Sequence, residues 1–300
     1  MMPFTTSQPL TRRQFLALSG QIALAGGLLP GLEAVACMPR SGDLAGRVLR
    51  AATVYAHSDG QRAVTLLWPE STMPILDVVG TWYRVPEGYV AQADLQPMLP
   101  YGPEKAVIPG QFPAPVMVIA PSAPVWRWAS GEAPIMTRVG YGGVLMADDW
   151  LADVHGVWYR VGFVMDGVQN TGWTLADRWT ALPYAPEPAQ AGADWLLRFD
   201  RKRRSLTVMQ DGRRMAAFAV AVPDDTGACR GQVVERTLCG TVAEHPGTGW
   251  IVAWDGGMVY GAYWYNATAQ ERSPVGWGLM PLAARWVYEM VPVGASVEVT

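Results

Sequence analysis

The chain contains few of the side chains that most often bind metal ions or attack carbonyl carbons, with only three histidines and three cysteines among 300 residues. His57 and His155 lie far apart in the sequence, and no group of histidine, cysteine and aspartate has the spacing of a metal site. We therefore expect no metal and no cofactor. Charged residues are also scarce, at 16% of the chain, whereas 50% are hydrophobic, which is enough for packed cores.

A long uninterrupted apolar run is absent as well. The best candidate, "TRRQFLALSGQIALAGGLLPGLEAVA" at residues 11–36, is broken by serine, glutamine and proline, and a membrane-spanning helix needs about 20 mostly apolar residues. Its paired arginines, Gly/Ala-rich run and small terminal residues resemble a twin-arginine (Tat) signal. This resemblance implies removal of residues 1–36 and export to the periplasm, the cell envelope or the exterior.

Removal of residues 1–36 leaves 21 basic and 25 acidic residues, a formal charge of −4. That balance favours neither a nucleic-acid partner nor an anionic membrane surface. Contact with a membrane is expected only through the signal or a lipid anchor. The basic runs at 201–204 and 213–214 flank one hairpin and indicate a solvated face, with an anionic wall polymer as the weaker alternative.

Three cysteines, an odd number for an exported protein, leave two alternatives for the first of them. Cys37 follows "AVA" and is a candidate for lipidation as in bacterial lipoproteins. A simple soluble cut is favoured, because Ala34 stands where such sequences usually have leucine. Cys229 and Cys239 are predicted to form a disulfide in an oxidising compartment, worth about 2–3 kcal/mol.

The 24 prolines, 32 glycines and 14 tryptophans indicate many short strands and tight turns, so we predict a mostly β protein. An internal repeat is present: "GTWYRV" at 80–85 returns as "GVWYRV" at 156–161, followed by "GYVAQADLQPML" and "GWTLADRWTAL" respectively. Each copy resembles a bacterial SH3-like (SH3b) domain, which implies a small β-barrel of about 50–60 residues.

Proline-rich stretches separate these copies from each other and from the rest of the chain. Residues 101–124 carry too many prolines for a helix or a central strand, and "LPYAPEPAQAGAD" at 182–194 has the composition of a second linker. The predicted organisation is a signal at 1–36, SH3-like domains at 47–100 and 125–182, a connector at 101–124, a linker at 183–194 and a C-terminal domain at 195–300.

In the C-terminal domain, alternating apolar residues on both sides of Asp211-Gly212 predict a hairpin. "GWIVAWD" at 249–255 and "MVYGAYWYN" at 258–266 are predicted strands. "PLAARWVYEM" at 281–290 has apolar residues at helical spacing, and "ASVEV" after it closes the chain as a strand.

This order of elements resembles the catalytic domain of L,D-transpeptidases of the YkuD/ErfK type. Members have a strand "H-G-T-x-W-H-N", then "S-H-G-C-V-R-L", then a helix with "D-A-x-W-L-Y". This chain has "YGAYWYN" at 260–266, "SPVGWGL" at 273–279 and "AARWVY" at 283–288. The resemblance implies a β-sandwich domain with one or two short helices that is related to enzymes acting on peptidoglycan peptides.

The catalytic groups of that family are missing. Its members attack a peptide carbonyl with a cysteine thiolate that a histidine activates. The cysteine position is Gly276 here, so no acyl-enzyme can form there. The positions of the neighbouring histidine, the later arginine and the two upstream histidines are held, in that order, by Pro274, Gly278, Tyr260 and Tyr265. We expect no catalytic residue at these positions, and the balance is against an enzyme.

Three functions remain open. The first is an exported, non-catalytic protein that binds peptidoglycan or a cell-envelope protein through its SH3-like domains and a former active-site cleft. Tyr260, Tyr265 and Trp277 would line that cleft and are expected to be exposed for stacking on sugars or peptides. The second is an active cross-linking enzyme with a displaced nucleophile, Cys239 or Ser273. The third is a protein-interaction scaffold.

Overall fold

The computed structural model describes residues 43–102, 108–182, 193–224, 227–270 and 272–300. Within these ranges the protein consists of β-strands, short 3-10 turns and one α-helix, which confirms the predicted mostly β fold. No helix in this part of the chain is long and apolar enough to cross a membrane. The predicted signal, Cys37 and most of the predicted linker at 183–194 lie outside the described residues.

The first repeat unit folds as two small sheets around one apolar core. Its strands are β1 (Leu44–Val48), β2 (Ala52–Tyr55), β3 (Ala63–Leu67), β4 (Thr72–Ile75), β5 (Asp77–Val79), β6 (Trp82–Val85), β7 (Gly88–Ala91) and β8 (Leu95–Met98). They pair in the orders β4-β1-β8 and β3-β2-β7-β6-β5. Because side chains alternate across a strand, Val54, Tyr83 and Val90 point into the core and are buried.

The second repeat unit has the same order of strands in a single sheet. Its strands are β9 (Ala114–Val118), β10 (Ser122–Trp126), β11 (Ile135–Gly140), β12 (Val144–Asp153), β13 (Gly156–Met165), β14 (Val168–Leu175) and β15 (Trp179–Ala181). The order is β11-β10-β14-β13-β12-β9-β15. The long strand β12 pairs with β9 at one end and β13 at the other, as β4 pairs with β1 and β5 with β6. The repeated sequence is therefore also a repeated topology.

The equivalence of the two units extends to local irregularities. The pairing register shifts at Tyr55 in β2 and at Trp126 in β10. Each of these aromatic residues meets the tryptophan of the repeated hexamer edge to face, with centroids 5.6 Å apart for Tyr55 and Trp82 and 5.5 Å apart for Trp126 and Trp158. Both units thus carry the same aromatic pair at the same place in the sheet.

The prediction that residues 101–124 are a connector without a central strand is wrong for the second half of that stretch. β9 lies inside the seven-stranded sheet, and β10 begins before the predicted boundary. Proline has no backbone amide to donate a hydrogen bond, but its carbonyl oxygen can still accept one. The carbonyl oxygens of Pro115 and Pro124 accept hydrogen bonds of 2.9 and 2.8 Å from the Leu182 amide and the Thr174 hydroxyl.

The C-terminal unit is built on an eight-stranded sheet. Its elements are β16 (Trp195–Asp200), β17 (Ser205–Gln210), β18 (Arg213–Ala219), β19 (Val222–Pro223), β20 (Cys229–Val242), β21 (His245–Trp254), β22 (Gly257–Gly261), β23 (Arg272–Ser273), β24 (Trp277–Leu279), α1 (Pro281–Met290) and β25 (Ser296–Val299). The sheet order is β18-β17-β16-β25-β20-β21-β22-β24. Its core includes Met117 and Val144, so the second and third units share apolar packing.

Most local predictions for the C-terminal unit are confirmed. Asp211 and Gly212 have φ values of 50° and 74°, the left-handed pair of a two-residue hairpin turn. The helix begins at Pro281, where a missing amide donor costs nothing. The predicted strand at 258–266 is too long, because β22 ends at Gly261 and the rest of the motif forms an irregular segment.

Candidate functional site

The two segments that carry the family resemblance lie side by side. β22 and β24 are parallel neighbours, with Tyr260 opposite Gly278. Ser273 ends β23, and the turn that leads from it into β24 contains Gly276. These four residues together with Tyr265 are called the degenerate site below, because the sequence resemblance described above aligns them with active-site positions.

Three hydroxyl groups fill the centre of the degenerate site. The Tyr260 hydroxyl oxygen lies 2.6 Å from that of Ser273 and 3.2 Å from that of Tyr265. Ser273 donates to the Val275 carbonyl over 3.1 Å. Burial raises the pKa of Tyr260 and of Tyr265, so both phenols stay protonated at neutral pH. Neither tyrosine can then act as a base towards Ser273, which is itself 1% exposed.

The backbone at Gly276 leaves no room for a side chain. This residue has a φ of 60°, in the left-handed region that favours glycine. A Cβ atom added to it would lie 2.7 Å from both the carbonyl oxygen and the Cγ of Met258. The backbone at position 276 therefore has no space for the side chain of a cysteine.

Gly278 also leaves no room for a side chain. A Cβ atom at this residue would collide with the hydroxyl group of Tyr265. The tyrosine therefore fills the space in which any larger side chain at position 278 would begin.

The histidine of the C-terminal unit is engaged in an aromatic stack. The Trp264 ring lies between the rings of His245 and Tyr260. The ring centroids are 3.9 Å apart for His245 and 5.6 Å apart for Tyr260, with interplanar angles of 13° and 14°. Burial lowers the pKa of His245, which keeps the ring neutral near pH 7. The structure thus places His245 as a packing partner of Trp264.

The expected exposure of the three cleft aromatics is wrong for two of them. Tyr260 and Trp277 are both 0% exposed. Tyr260 is covered by Trp264, and Trp277 packs in the core at 4.6 Å from the Phe199 ring. Only Tyr265 is half-buried. A ligand can therefore reach at most one of the three predicted binding residues without a change of structure.

Buried polar side chains of the first unit hold the segment after β22, and sequence reasoning missed them. Arg47 donates to the Tyr263 carbonyl over 2.7 Å, and Gln96 donates to the carbonyls of Ala262 and Tyr265 over 2.8 and 2.9 Å. Arg47 and Gln96 are opposite each other on β1 and β8. The one sequence signal was a pair of polar residues among the apolar residues of two short strands.

Asn266, the last residue of the "YGAYWYN" segment, completes this contact from the other side. Its Nδ2 amide lies 3.0 Å from each of three acceptors on the first unit, the Tyr83 hydroxyl and the carbonyls of Gln92 and Leu95. Asn266 is 1% exposed. We call the contact made by Arg47, Gln96 and Asn266 the polar seam. It attaches the first unit directly to the degenerate site.

The predicted disulfide is wrong: Cys229 and Cys239 are both free. They lie ten positions apart on one strand, β20, so that their Cα atoms are roughly 30 Å apart. A disulfide requires Cα atoms within about 7 Å of each other. Burial raises the pKa of the Cys239 thiol, which lowers its thiolate fraction and so disfavours it as a displaced nucleophile.

The remaining titratable residues do not assemble into another site of this kind. His57 and His155 lie in different repeat units, in loops next to β2 and β13. Among the described residues, no group of three or more histidine, cysteine, aspartate and glutamate side chains is placed to hold a metal ion.

No protein-family model and no curated protein matches the chain. Solved structures do. The chain is similar to an L,D-transpeptidase from Mycobacterium smegmatis, with 16% identity and a TM-score of 0.34 over 48% of this chain and 90% of that one. It is also similar to an L,D-transpeptidase from Mycobacterium tuberculosis H37Rv, with 12% identity and a TM-score of 0.34 over 53% of this chain and 90% of that one. A third L,D-transpeptidase, from Xylanimonas cellulosilytica DSM 15894, has 14% identity and a TM-score of 0.33. The similarity covers 39% of this chain and 65% of that one, so this chain spans just under two thirds of that structure's length.

Proposed function

We propose that this chain is an exported cell-envelope protein, a catalytically degenerate relative of the L,D-transpeptidases that binds peptidoglycan or an envelope protein. Its two repeat units act as SH3-like binding modules. The observation that carries the proposal is the Gly276 backbone, where a Cβ atom would lie 2.7 Å from the Met258 carbonyl oxygen. A chain that keeps the segments of a catalytic domain but closes the nucleophile position is suited to binding and not to acyl transfer.

The burial of Tyr260 and Trp277 moves the expected ligand contacts away from the degenerate site. Tyr265 alone retains some exposure there. The repeat units, by contrast, carry several exposed aromatic and aliphatic side chains, including Trp68 at 70% and Trp128 at 51%. Exposed aromatic groups are the usual contact surfaces for sugars and extended peptides. We therefore assign wall binding mainly to the repeat units.

A second function, a protein-interaction scaffold, is favoured by the polar seam. The segment that carries two catalytic histidines in the family is here a support for the first unit through Asn266 and its three acceptors. Such a support fixes the orientation of the repeat units, which is what a scaffold requires. The enzyme alternative has less support, since Ser273 is buried without a base and the Cys239 pKa is raised.

The test is co-sedimentation of the purified chain, lacking residues 1–36, with insoluble peptidoglycan sacculi, followed by analysis of the released muropeptides. We expect saturable binding without new cross-links. New cross-links that disappear in a Ser273→Ala or a Cys239→Ser variant would contradict the proposal and identify the missed nucleophile. Absence of binding to sacculi, with capture of an envelope protein instead, would leave the scaffold as the function.

A further inference from the structure

A hydrogen-bond donor without an acceptor lies in the core of the C-terminal unit. Trp254 is 4% exposed, and its indole Nε1 has no hydrogen-bond partner among the described residues. The ring of Phe199 stacks on the Trp254 ring, with centroids 5.1 Å apart and 26° between the planes, and fixes its orientation. Because a buried donor is costly to leave unpaired, an acceptor from outside the described chain is expected at this nitrogen.

The edge of the Trp254 ring that carries the donor faces two glycines. A Cβ atom added to Gly231 on β20 would lie 3.2 Å from Trp254 Cδ1, and one added to Gly256, after β21, would lie 3.4 Å from Nε1. Both glycines have φ values outside the left-handed region, so the backbone would accept other residues at these positions. The missing side chains therefore leave the N–H edge of the indole uncovered.

The free thiol of Cys229 lies at the same place. The Cβ position at Gly256 is 3.1 Å from Cys229 Sγ, so the sulfur and the indole nitrogen flank one glycine. Cys229 and Gly231 are two positions apart on β20 and project from the same face of that strand. Cys229 is partly exposed and Gly256 is exposed, so a small solute can reach the sulfur. We call Cys229, Trp254 and Gly256 the thiol niche.

The charged residues around the thiol niche do not activate the sulfur. A cation beside a thiol favours the thiolate. Arg230, the next residue along β20, projects from the opposite face, where it pairs with Glu298 at 3.1 Å. On the side of the niche, Asp255 is acidic, and its Cβ lies 3.9 Å from the Cβ position at Gly231. The niche is therefore suited to stabilising the product of a reaction at sulfur and not to accelerating that reaction.

The chain offers Cys229 no second thiol within reach among the described residues. Cys239 is the other free cysteine there, and the extended strand places it roughly 30 Å away. A sulfenic acid that meets a thiol condenses with it to a disulfide. An oxidised Cys229 would therefore keep its oxygen, and that oxygen is an acceptor for the unpaired donor of Trp254.

We propose that Cys229 is an oxidation site for hydrogen peroxide, at which the Trp254 indole N–H donates a hydrogen bond to the oxygen of a sulfenic acid. The thiolate sulfur attacks one peroxide oxygen, the O–O bond breaks, and the hydroxide that leaves takes up the thiol proton to form water. Sulfur loses two electrons and the peroxide gains them. This inference goes beyond the proposed wall binding and does not depend on it.

The experiment uses the full chain carrying Cys37→Ser, so that only Cys229 and Cys239 can react. The protein is treated with hydrogen peroxide and then with dimedone, which traps sulfenic acids, and the adducts are quantified by peptide mass spectrometry. We expect at least about tenfold more adduct on Cys229, because burial raises the pKa of Cys239 and lowers its thiolate fraction. In NMR spectra of the untrapped protein, one indole N–H resonance should shift on oxidation, and Trp254→Phe should lack that resonance.

Two variants and a matched control test the role of the indole. Trp254→Phe keeps an aromatic ring against Phe199 but removes the donor, and should lower the adduct about three- to tenfold. Gly256→Ala places a methyl group beside both the sulfur and the indole nitrogen and should have the same effect. The control is Trp195→Phe, because Trp195 is also buried with an indole N–H that has no partner among the described residues. It lies at the other end of β16 from Phe199 and should change the adduct by less than about twofold.

Several results would overturn the inference. The first is the absence of an adduct on Cys229, or equal adducts on Cys229 and Cys239. Equal losses in Trp254→Phe and Trp195→Phe would assign the effect to a damaged core and not to the lost donor. If Trp254→Phe does not fold, Gly256→Ala decides in its place, and unchanged labelling in that variant rejects the niche. An indole spectrum that stays the same on oxidation rejects it in the protein with both residues intact.

Discussion

The degenerate site and the outer face of the first unit's sheet, formed by Tyr55, Trp82, Arg84 and Tyr89, both carry aromatic side chains, yet the first is filled by the chain itself and the second is partly exposed. In the degenerate site, the hydroxyl groups of Tyr260, Tyr265 and Ser273 bond to one another, and the space beside Gly278 is taken by Tyr265. On that outer face, Arg84 is exposed and has no ion-pair partner among the described residues, although Asp77 lies opposite it on β5. Satisfied polar groups fix a structure, whereas an unpartnered charge beside partly exposed rings is available to a ligand.

The largest expected effect is at Gly276. Gly276→Cys should lower the free energy of unfolding by about 2–4 kcal/mol, because it adds a left-handed non-glycine residue and a collision with Met258. Urea denaturation measures the change. The control is Gly294→Cys, which has a φ of 89° but no atom within 4 Å of its Cβ position, and should cost only about 1–2 kcal/mol. A stable Gly276→Cys protein with cross-linking activity would show that the site is not closed.

Asn266→Ala should have the next largest effect. It removes an amide buried against three acceptors of the first unit, which should cost about 2–3 kcal/mol and loosen the polar seam. Hydrogen exchange of the amides in β8 reports the loosening. Asn170→Ala, which removes one exposed bond to the Val168 carbonyl, is the control and should change little. Equal exchange in both variants would mean that the first unit does not depend on the seam.

A smaller effect is expected within the hydroxyl cluster. Tyr260→Phe removes the 2.6 Å bond to Ser273 and should cost about 1–2 kcal/mol. The double-mutant cycle with Ser273→Ala measures the coupling directly, and we expect about 1 kcal/mol. Tyr265→Phe, whose bond to Ser273 is longer at 3.3 Å, should cost less than Tyr260→Phe. A coupling energy of zero would mean that the Tyr260 and Ser273 hydroxyl groups are adjacent without stabilising the fold through their hydrogen bond.

Local sequence signals predicted the secondary structure of the C-terminal unit but not how the degenerate site is packed. The Asp211-Gly212 hairpin and the helix from Pro281 to Met290 follow from turn chemistry and periodicity, and both are present. The position of the segment after β22 depends instead on contacts between residues that are distant in the sequence. Arg47 reaches the Tyr263 carbonyl across 216 positions, and nothing in either local sequence specifies that bond. Long-range contacts also explain why β22 ends early, because the segment after it forms hydrogen bonds with Arg47 and Gln96 of the first unit.

Proline content misled for a related reason. Counting prolines predicts the loss of strand donors, but a strand also needs acceptors, and the carbonyls of Pro115 and Pro124 still supply them. The predicted disulfide failed because the spacing of two cysteines says nothing about whether the chain between them turns back. Here β20 is one continuous strand from Cys229 to Cys239, without a turn between them.

The smallest expected effect concerns the pH dependence of the filled region. Burial lowers the folded-state pKa of His245 below its ordinary value, so between these two pKa values the unfolded chain binds more protons than the folded one. The stability that His245 contributes is therefore complete above about pH 6.5 and is lost as the pH falls through that window. His245→Phe should keep the stack with Trp264 and flatten the decline between pH 7 and pH 5, measured by urea midpoints. His57→Gln, at an exposed histidine, is the control. An unchanged slope in His245→Phe would mean that the imidazole is not buried against Trp264, and that this edge of the degenerate site is as open as the first unit's outer face.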